Sequence, residues 1–120
     1  MRRVFEKNEQ LLLEDEAEYI GGHSKVLESL RGKLVLTTKK IVFERIVGGV
    51  RHKRPEIIFI IDLPAIKELK LGEPGRLAKP VITVVYESDE HKLEQPSFTV
   101  SSRESWSSAI SSVKIGHFTL

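Results

Sequence analysis

The sequence predicts a mainly β fold, an open barrel of about seven antiparallel strands closed by one C-terminal α-helix. The first observation is segment 31–43, where two apolar runs of period two flank a polar turn at 37–40 and indicate a β-hairpin. The second is the stripe Trp106, Ile110 and Val113, which is typical of an amphipathic helix. Strands followed by a single tryptophan-bearing helix therefore predict a barrel that the helix closes.

Alternation along the hairpin divides its side chains between two faces. Residues on one face of a strand lie two positions apart, so we expect one set to point inward and another outward. The inward set is Leu34, Leu36, Ile41 and Phe43, and the outward set is Lys33, Lys39 and Glu44. With the helix stripe added, the predicted structural core is Leu34, Leu36, Phe43, Trp106, Ile110 and Val113.

Short apolar runs between turn signals predict further strands. The run 81–86 is rich in β-branched residues, and 57–61 is a continuous apolar run too short for a helix. Pro64 interrupts the chain after this run because proline cannot donate to a β-ladder. The other predicted strands are 17–27, bent at its glycine pair, 66–71 and 97–100, and 88–96 is a polar loop.

The two ends of the chain carry different signals. Ser101 and Glu104 form a capping-box pattern before a helix from Ser102 to about Lys114, and Gly116 supplies its stop. The first residues mix apolar clusters with charge and fit either a short helix or an extended arm. We therefore divide the chain into an N-terminal arm or short helix at 1–15, one domain at 16–115, and a tail at 116–120.

The composition is that of one globular domain in a reducing compartment. At 120 residues the chain fits a single core, and its 30% charged and 40% hydrophobic residues are ordinary for a soluble protein. The absence of cysteine excludes disulfides, thiolate metal sites and a cysteine nucleophile. No apolar run approaches the about 18 residues that span a bilayer. We expect a cytoplasmic protein, peripheral to a membrane if it binds one.

Charge is distributed unevenly along the chain. Between Glu6 and Glu18 there are six acidic residues against one lysine, and between Lys25 and Arg54 there are nine Lys or Arg against two Glu. One edge of the fold should therefore be basic. The basic loop 51–54 has no exposed aromatic neighbours for base stacking, which argues against nucleic acid as a partner. Exposed lysine and arginine side chains suffice, however, for anionic lipid headgroups.

The residue patterns that mark catalysis and metal binding are not met. The four histidines show no paired ligand spacing. No serine stands in a nucleophile elbow, and neither glycine pair has the spacing of a phosphate loop. The adjacent carboxylates Asp15 and Glu16 would point to opposite faces of a strand, so they do not form a catalytic pair. We expect them to belong to a solvent-exposed acidic segment that precedes the domain. We expect no enzyme, no metal site and no cofactor.

Two motifs resemble pleckstrin-homology (PH)-like domains, most closely their GRAM and bacterial PH-like branch. The first is 32–37 (GKLVLT) followed by 40–43 (KIVF), similar to the family's G-x-L-x-L-T and I-x-F. The second, 61–66 (IDLPAI), resembles an apolar strand followed by L-x-x-I, and Trp106 matches the family's helix tryptophan. The resemblance covers about 15–114. It implies a PH-like open barrel of two near-orthogonal sheets and a non-enzymatic binding role.

The resemblance implies an adaptor that binds a protein partner or an anionic membrane surface. A groove between strand 66–71 and the helix would take a peptide. A structural or oligomerisation domain of a larger assembly stays open as an alternative, and a small-ligand barrel or an enzyme would need converging polar groups that the sequence does not show. The residues expected to meet anions, at loops of one open barrel end, are Lys39, Lys40, Arg51, Lys53 and Arg54.

Overall fold

The structure is a computed structural model, and it describes residues 8–47, 54–72 and 80–117. Over these ranges the chain forms eight β-strands, one 3₁₀ turn and one α-helix. The predicted site residues Arg51 and Lys53 lie outside the described residues. The elements are β1 (Leu11–Gly21), β2 (Leu30–Thr37), β3 (Lys40–Val47), β4 (Arg54–Asp62), the 3₁₀ turn (Leu63–Ala65), β5 (Ile66–Gly72), β6 (Val81–Glu87), β7 (Leu93–Glu94), β8 (Ser97–Thr99) and α1 (Arg103–His117).

The strands form one antiparallel sheet in the order β4-β3-β2-β1-β8-β6-β5, with β7 paired to β6. β1 pairs with β2 on one side and, near its end, with β8 on the other. The two halves that the sequence predicts as two sheets are therefore hydrogen-bonded to each other through β1. The predicted fold class, a mainly β open barrel with a C-terminal helix, is confirmed.

The β2–β3 hairpin is built around its predicted inward set. The four side chains of that set are each at most 1% exposed. Leu34 faces Phe43 across the two strands, and Leu36 faces Ile41. Cross-strand apolar pairs of this kind stabilise a sheet, so the hairpin forms one wall of the core.

Glu44 departs from the prediction that it faces water. The side chain is 3% exposed, and Val35 and Val42, which share its face of the hairpin, are buried as well. Both faces of the hairpin are thus covered. Alternation with period two separates the faces of a strand but does not decide that one of them meets solvent, which is why the prediction for Glu44 is wrong.

β1 starts earlier and stops earlier than the predicted strand. Residues 11–15, assigned to an arm, pair with β2 from the Leu11–Thr37 pair to the Asp15–Leu34 pair. At the other end, Gly22 has a φ of +106°, and a Cβ on it would lie 1.9 Å from the carbonyl oxygen of Gln95. The glycine pair therefore ends the strand in a turn that needs glycine, where the sequence predicts a bend within one long strand.

The C-terminal helix is confirmed, with its cap one residue later than predicted. It continues through the predicted stop at Gly116 and ends at His117. The Ser102 hydroxyl accepts the backbone N–H of Ser105 at 3.2 Å, so Ser102 is the N-cap of α1. Ser101 lies outside the helix and donates its backbone N–H and its hydroxyl to Asp15 Oδ2 at 2.8 and 2.9 Å. The predicted capping role of Ser101 is wrong because its polar groups are used to attach the helix start to β1.

The apolar stripe of α1 packs into the open side of the barrel. Trp106 is fully buried, Ile110 is 2% exposed, and Val113 packs half-buried against the core. The Trp106 indole donates its Nε1–H to Asp15 Oδ2 at 3.0 Å, so the buried ring keeps a hydrogen-bond partner. No helix within the described residues is long and apolar enough to cross a membrane.

Candidate functional site

A cleft lies beside β4, where the strand order of the curved sheet ends. β4 and β5 lie at the two ends of that order, and the 3₁₀ turn carries the chain from one to the other. A cavity of about 410 Å³ lies beside β4, between residues 58–62, the β6–β7 segment 86–94 and the loop 23–26. Ligand pockets commonly measure roughly 300–1,000 Å³. We call this cavity the seam cleft.

The β4 wall of the seam cleft is apolar. The pairing of β3 with β4 shifts between Phe43 and Glu44, which leaves Ile58 as an extra residue in a β-bulge. Ile58 is half-buried in the cleft wall, and Ile60, two positions on, is 53% exposed. An exposed isoleucine on a sheet edge is unusual, because such edges are usually protected by charge or proline. This wall can therefore bury apolar ligand surface.

Acidic side chains dominate the rim of the seam cleft. Two of them are paired at the surface: Glu90 lies 3.4 Å from Lys25 Nζ, and Glu87 lies 3.5 Å from Lys67 Nζ. A hydrogen bond from His91, together with Lys67, holds the pKa of Glu87 below its usual range. The lining carboxylates are Asp62, Glu87, Asp89, Glu90 and Glu94, against Lys25 as the one lysine or arginine among the described lining residues.

Hydrogen bonds attach the loop after β1 to the β6–β7 side of the cleft. Glu94 Oε1 accepts the backbone N–H of Ser24 at 2.9 Å, and Glu94 Oε2 accepts the Ser24 hydroxyl at 2.5 Å. His23 Nε2 lies 2.8 Å from the Tyr86 hydroxyl. Because these contacts join residues far apart in the chain, they fix the width of the cleft on this side.

The His23 ring is held in one neutral form. Its Nδ1 accepts the backbone N–H of Lys25 at 3.0 Å, so the ring proton lies on Nε2 and is donated to the Tyr86 hydroxyl. Burial lowers the pKa of His23 below its ordinary 6.5, against the opposing charge of Glu94 and with a small contribution from Lys25. Burial, with Glu94 nearby, raises the pKa of Tyr86 to about 12. Both groups are therefore uncharged at neutral pH.

Glu94 is the charged member of this network. Its side chain is buried, and burial acts to raise its pKa, but the two Ser24 hydrogen bonds, with smaller electrostatic contributions from His23 and Lys92, outweigh that effect. The pKa of Glu94 therefore lies below its usual range. Its ionised carboxylate holds the loop in place.

The network gives the cleft its shape and commits the His23 and Ser24 side chains to contacts within the protein. Both ring nitrogens of His23 are engaged within the protein, and the Ser24 hydroxyl is donated to Glu94. A general base needs hydrogen-bond reach to a substrate proton, which these groups do not have free. The described residues also hold no group of three His, Asp or Glu side chains placed for a metal. The cleft offers apolar contact and negative charge.

The structure separates the predicted basic residues. Lys39 and Lys40 lie at the β2–β3 turn, whereas Arg54 pairs with Val47 at the far end of β3. The strand from 40 to 47 spans about 23 Å at roughly 3.3 Å per residue. Consecutive turns of an antiparallel meander alternate between the two ends of a sheet. Lys39 and Lys40 therefore do not share one barrel end with Arg54, and the other two predicted residues, Arg51 and Lys53, lie outside the described residues.

Lys40 has a structural contact of its own. Its Nζ lies 3.1 Å from Oε1 of Glu9, whose side chain is fully buried, and the lysine side chain is 13% exposed. Thr37 donates its hydroxyl to the same carboxylate and accepts the backbone N–H groups of Lys39 and Lys40. Breaking a buried pair leaves an uncompensated charge, so Lys40 is committed to the fold. Of the predicted residues that the structure describes, Arg54 is the exposed one.

The residues of the cleft network are absent from the sequence-based predictions. His23 and Tyr86 are 63 positions apart, and Ser24 and Glu94 are 70 apart. No local spacing rule joins residues at such distances. The one local signal is the glycine pair before His23, which marks a turn where loop side chains can be redirected.

Comparison with known proteins supports the fold. No protein-family model matches the chain. Among solved structures the chain is similar to the Vps36 N-terminal PH domain, with a TM-score of 0.67 and 14% sequence identity over 98% of this chain and 87% of that one. This likeness shows that the chain has a PH-like fold.

Two curated proteins match a shorter stretch. Over 52 residues, or 42% of this chain, it is 42% identical to the small ribosomal subunit protein uS2 of Wolinella succinogenes and equally to that of Helicobacter hepaticus. The chain spans 19% of the length of each of these proteins. A match of this extent shows neither a shared family nor a shared function.

Proposed function

We propose that this domain is a non-enzymatic binding module that recognises a protein partner through the seam cleft. The observation that carries the proposal is the position of an apolar, acid-rimmed cleft beside the open β4 edge of a PH-like sheet. Sheet edges beside grooves are common peptide-binding sites. A PH-like fold hosts many kinds of ligand, so the proposal depends on the chemistry of this cleft and not on the fold.

The charge of the cleft favours a protein over an anionic membrane surface. Carboxylates repel phosphate headgroups, and exposed lysine and arginine side chains would be needed to attract them. The cleft lining holds five carboxylates against Lys25, and Lys25 is already paired with Glu90. The cysteine-free sequence supports action in the cytoplasm.

Binding to an anionic membrane remains a separate prediction for the other end of the sheet. Arg54 is exposed there, and the sequence places Arg51 and Lys53 beside it in the chain. An oligomerisation role is the third alternative, because the β4 edge could pair with another chain.

The test is a selection of peptides from an unbiased display library, performed on the wild-type domain and on two matched variants. Ile60→Lys places a charge in the cleft at a residue that is 53% exposed. Leu71→Lys makes the same kind of change on β5, the opposite sheet edge, at a residue that is 45% exposed. Both positions are on the surface, so neither change should disturb the fold.

We expect the wild type and Leu71→Lys to enrich the same peptides and Ile60→Lys to lose them. Enrichment that survives Ile60→Lys, or no enrichment at all, would contradict a role for the seam cleft. Cosedimentation with phosphatidylcholine–phosphatidylserine vesicles forms the second arm. Vesicle binding that Arg54→Glu abolishes would favour the membrane alternative.

A further inference from the structure

The edge of β4 is open along the seam cleft. β4 pairs with β3 on one side, and among the described residues its other side pairs with no strand. An unpaired edge exposes a row of backbone N–H and C=O groups that a further strand can meet. The backbone of β4 thus offers hydrogen bonds in the same place where the cleft offers apolar contact.

Side chains of β4 that line the cleft form a row along the open edge. Ile60 and Asp62 lie two positions apart and share one face of β4, and Ile58, the extra residue of the bulge, lines the cleft beside them. A strand added beside β4 would place its own alternate side chains next to this row. Apolar residues would lie beside the two isoleucines, and a cation would lie beside Asp62.

The rim carboxylates that remain unpaired set the charge of the occupant. Asp62 and Asp89 are exposed and have neither a salt bridge nor a side-chain hydrogen bond among the described residues. Lys25, the cation of the lining, is engaged by Glu90 at 3.4 Å. Electrostatic complementarity therefore requires positive charge on the ligand.

Building on the proposed function, we infer that the partner segment is an extended peptide of alternating apolar and basic residues that adds as a further strand to β4. The backbone edge supplies the hydrogen bonds, Ile58 and Ile60 supply the apolar contact, and Asp62 and Asp89 supply the charge. In such strand addition, main-chain hydrogen bonds give affinity and alternate side chains give specificity.

The test uses peptides of about ten residues from the display selection, resynthesised with N-methyl groups at alternate backbone amides. An added strand turns every second residue toward the edge, so methylation of one alternate set should block binding and methylation of the other should be tolerated. We expect a loss of affinity of about tenfold or more for the blocking set, measured by calorimetry. Backbone amide shifts of ¹⁵N-labelled protein should concentrate on β4.

Charge is tested with paired variants. Asp62→Lys with Asp89→Lys should weaken binding of the selected peptides by about tenfold, since two charge contacts become repulsive. Glu16→Lys with Glu68→Lys alters net charge equally at exposed residues outside the cleft lining and serves as the control. Added salt should weaken wild-type binding.

The outcomes separate this inference from the proposed function. Selected peptides whose binding depends on Ile60 could be acidic or neutral, or could tolerate N-methylation at every position. Either result would contradict strand addition by a basic segment but would still support the seam cleft as a binding site. A concentration-dependent dimer that Ile60→Lys abolishes would assign the edge to a second copy of this chain and overturn the inference. If no ligand is found whose binding depends on Ile60, both this inference and the proposed function are wrong.

Discussion

At the scale of single residues, Asp15 shows how much a tertiary contact can change the meaning of a sequence pattern. Asp15 and Glu16 look equivalent in the sequence, as two members of an acidic stretch. In the structure Asp15 Oδ2 accepts hydrogen bonds from the Ser101 N–H, the Ser101 hydroxyl and the Trp106 indole. Glu16 is exposed on the other face of the strand. One carboxylate therefore joins β1 to the start of α1.

Replacing Asp15 by Ala should destabilise the domain by about 2 kcal/mol, because the indole N–H and the Ser101 groups lose a charged acceptor. Glu16→Ala is the matched control and should change stability by less than about 0.5 kcal/mol, as an exposed surface change usually does. Urea unfolding followed by Trp106 fluorescence measures both variants. If both changes lower stability equally, Asp15 does not stabilise the connection between β1 and the start of α1.

His23 should make stability depend on pH. Burial keeps its pKa below the ordinary 6.5, so the unfolded chain takes up the proton first as pH falls through that value. The contribution of neutral His23 to stability is therefore fully present above about pH 6.5. It decreases as pH falls below that value and stops changing once pH is below the pKa of His23 in the folded protein. Protonation also removes the acceptor for the Lys25 N–H.

The measurement is the thermal midpoint of the wild type, His23→Gln and His91→Gln across this pH range. His23→Gln should flatten the decrease below pH 6.5, whereas His91→Gln should retain it, since the His91 side chain is 86% exposed. Glu94 adds a second loss at lower pH, because its pKa lies below its ordinary 4.5. A midpoint that rises as pH falls through 6.5 would contradict this account.

At the scale of elements, the motif at 32–37 has a structural explanation. Gly32 lies so close to β3 that a Cβ on it would be 2.1 Å from the carbonyl oxygen of Glu44. At the other end, the Thr37 hydroxyl accepts the N–H groups of the β2–β3 turn. The glycine and the threonine therefore support hairpin geometry, and the motif describes a fold more than a ligand site.

Gly32→Ala should cost about 3 kcal/mol, because backbone atoms must shift to admit the methyl group. Gly72→Ala is the control, since a Cβ there would meet the Val81 side chain at an ordinary 3.4 Å. That change should alter stability by less than about 1 kcal/mol. The two midpoints of chemical denaturation decide the matter, and similar values would argue against the close approach at Gly32.

The cap of α1 gives a second prediction for an element. Ser102→Ala should destabilise the domain by about 1 kcal/mol, since the N–H of Ser105 loses its acceptor. Ser108→Ala, at an exposed position within the same helix, should be neutral or slightly stabilising because alanine is the better helix former. Thermal unfolding of both variants by circular dichroism tests this, and an equal response would place the cap elsewhere.

The elements that the sequence predicts well are those with a local signal. The hairpin, the β-branched strand at 81–86 and the apolar stripe of α1 each carry their periodicity within about ten residues. β7 spans two residues, too few for any period, and β1 mixes exposed leucines with charge on both faces. The prediction that Glu44 faces solvent is wrong because its burial depends on what covers the second face of the hairpin.

At the scale of the whole molecule, the barrel was predictable and the cleft was not. Local patterns in the sequence predict the order of strands and helix. The seam cleft, by contrast, is formed by loop 23–26, β4 and the β6–β7 segment, which are far apart in the chain. The basic stretch from 25 to 54 suggested one positive edge. Because β2, β3 and β4 are antiparallel, Lys39 and Lys40 lie at one end of β3 and Arg54 at the other, so the fold separates these charges.

Charge is thus organised by topology and not by chain position. Four of the five carboxylates in the cleft lining lie within residues 87–94, and Asp62 comes from β4. The fold sets them around the exposed Ile60 side chain at an open edge. The central claim of this account is that a protein segment, and not an anionic membrane, occupies this cleft.

The most direct measurement is a two-dimensional ¹⁵N–¹H NMR titration of the labelled domain, in parallel, with a selected peptide and with phosphatidylserine-containing bicelles. The account predicts that the peptide shifts the amide signals of Ile58, Ile60 and Asp89, and that bicelles leave these signals in place. Shifts that appear with bicelles and centre on Arg54, with no peptide response at the cleft, would contradict it.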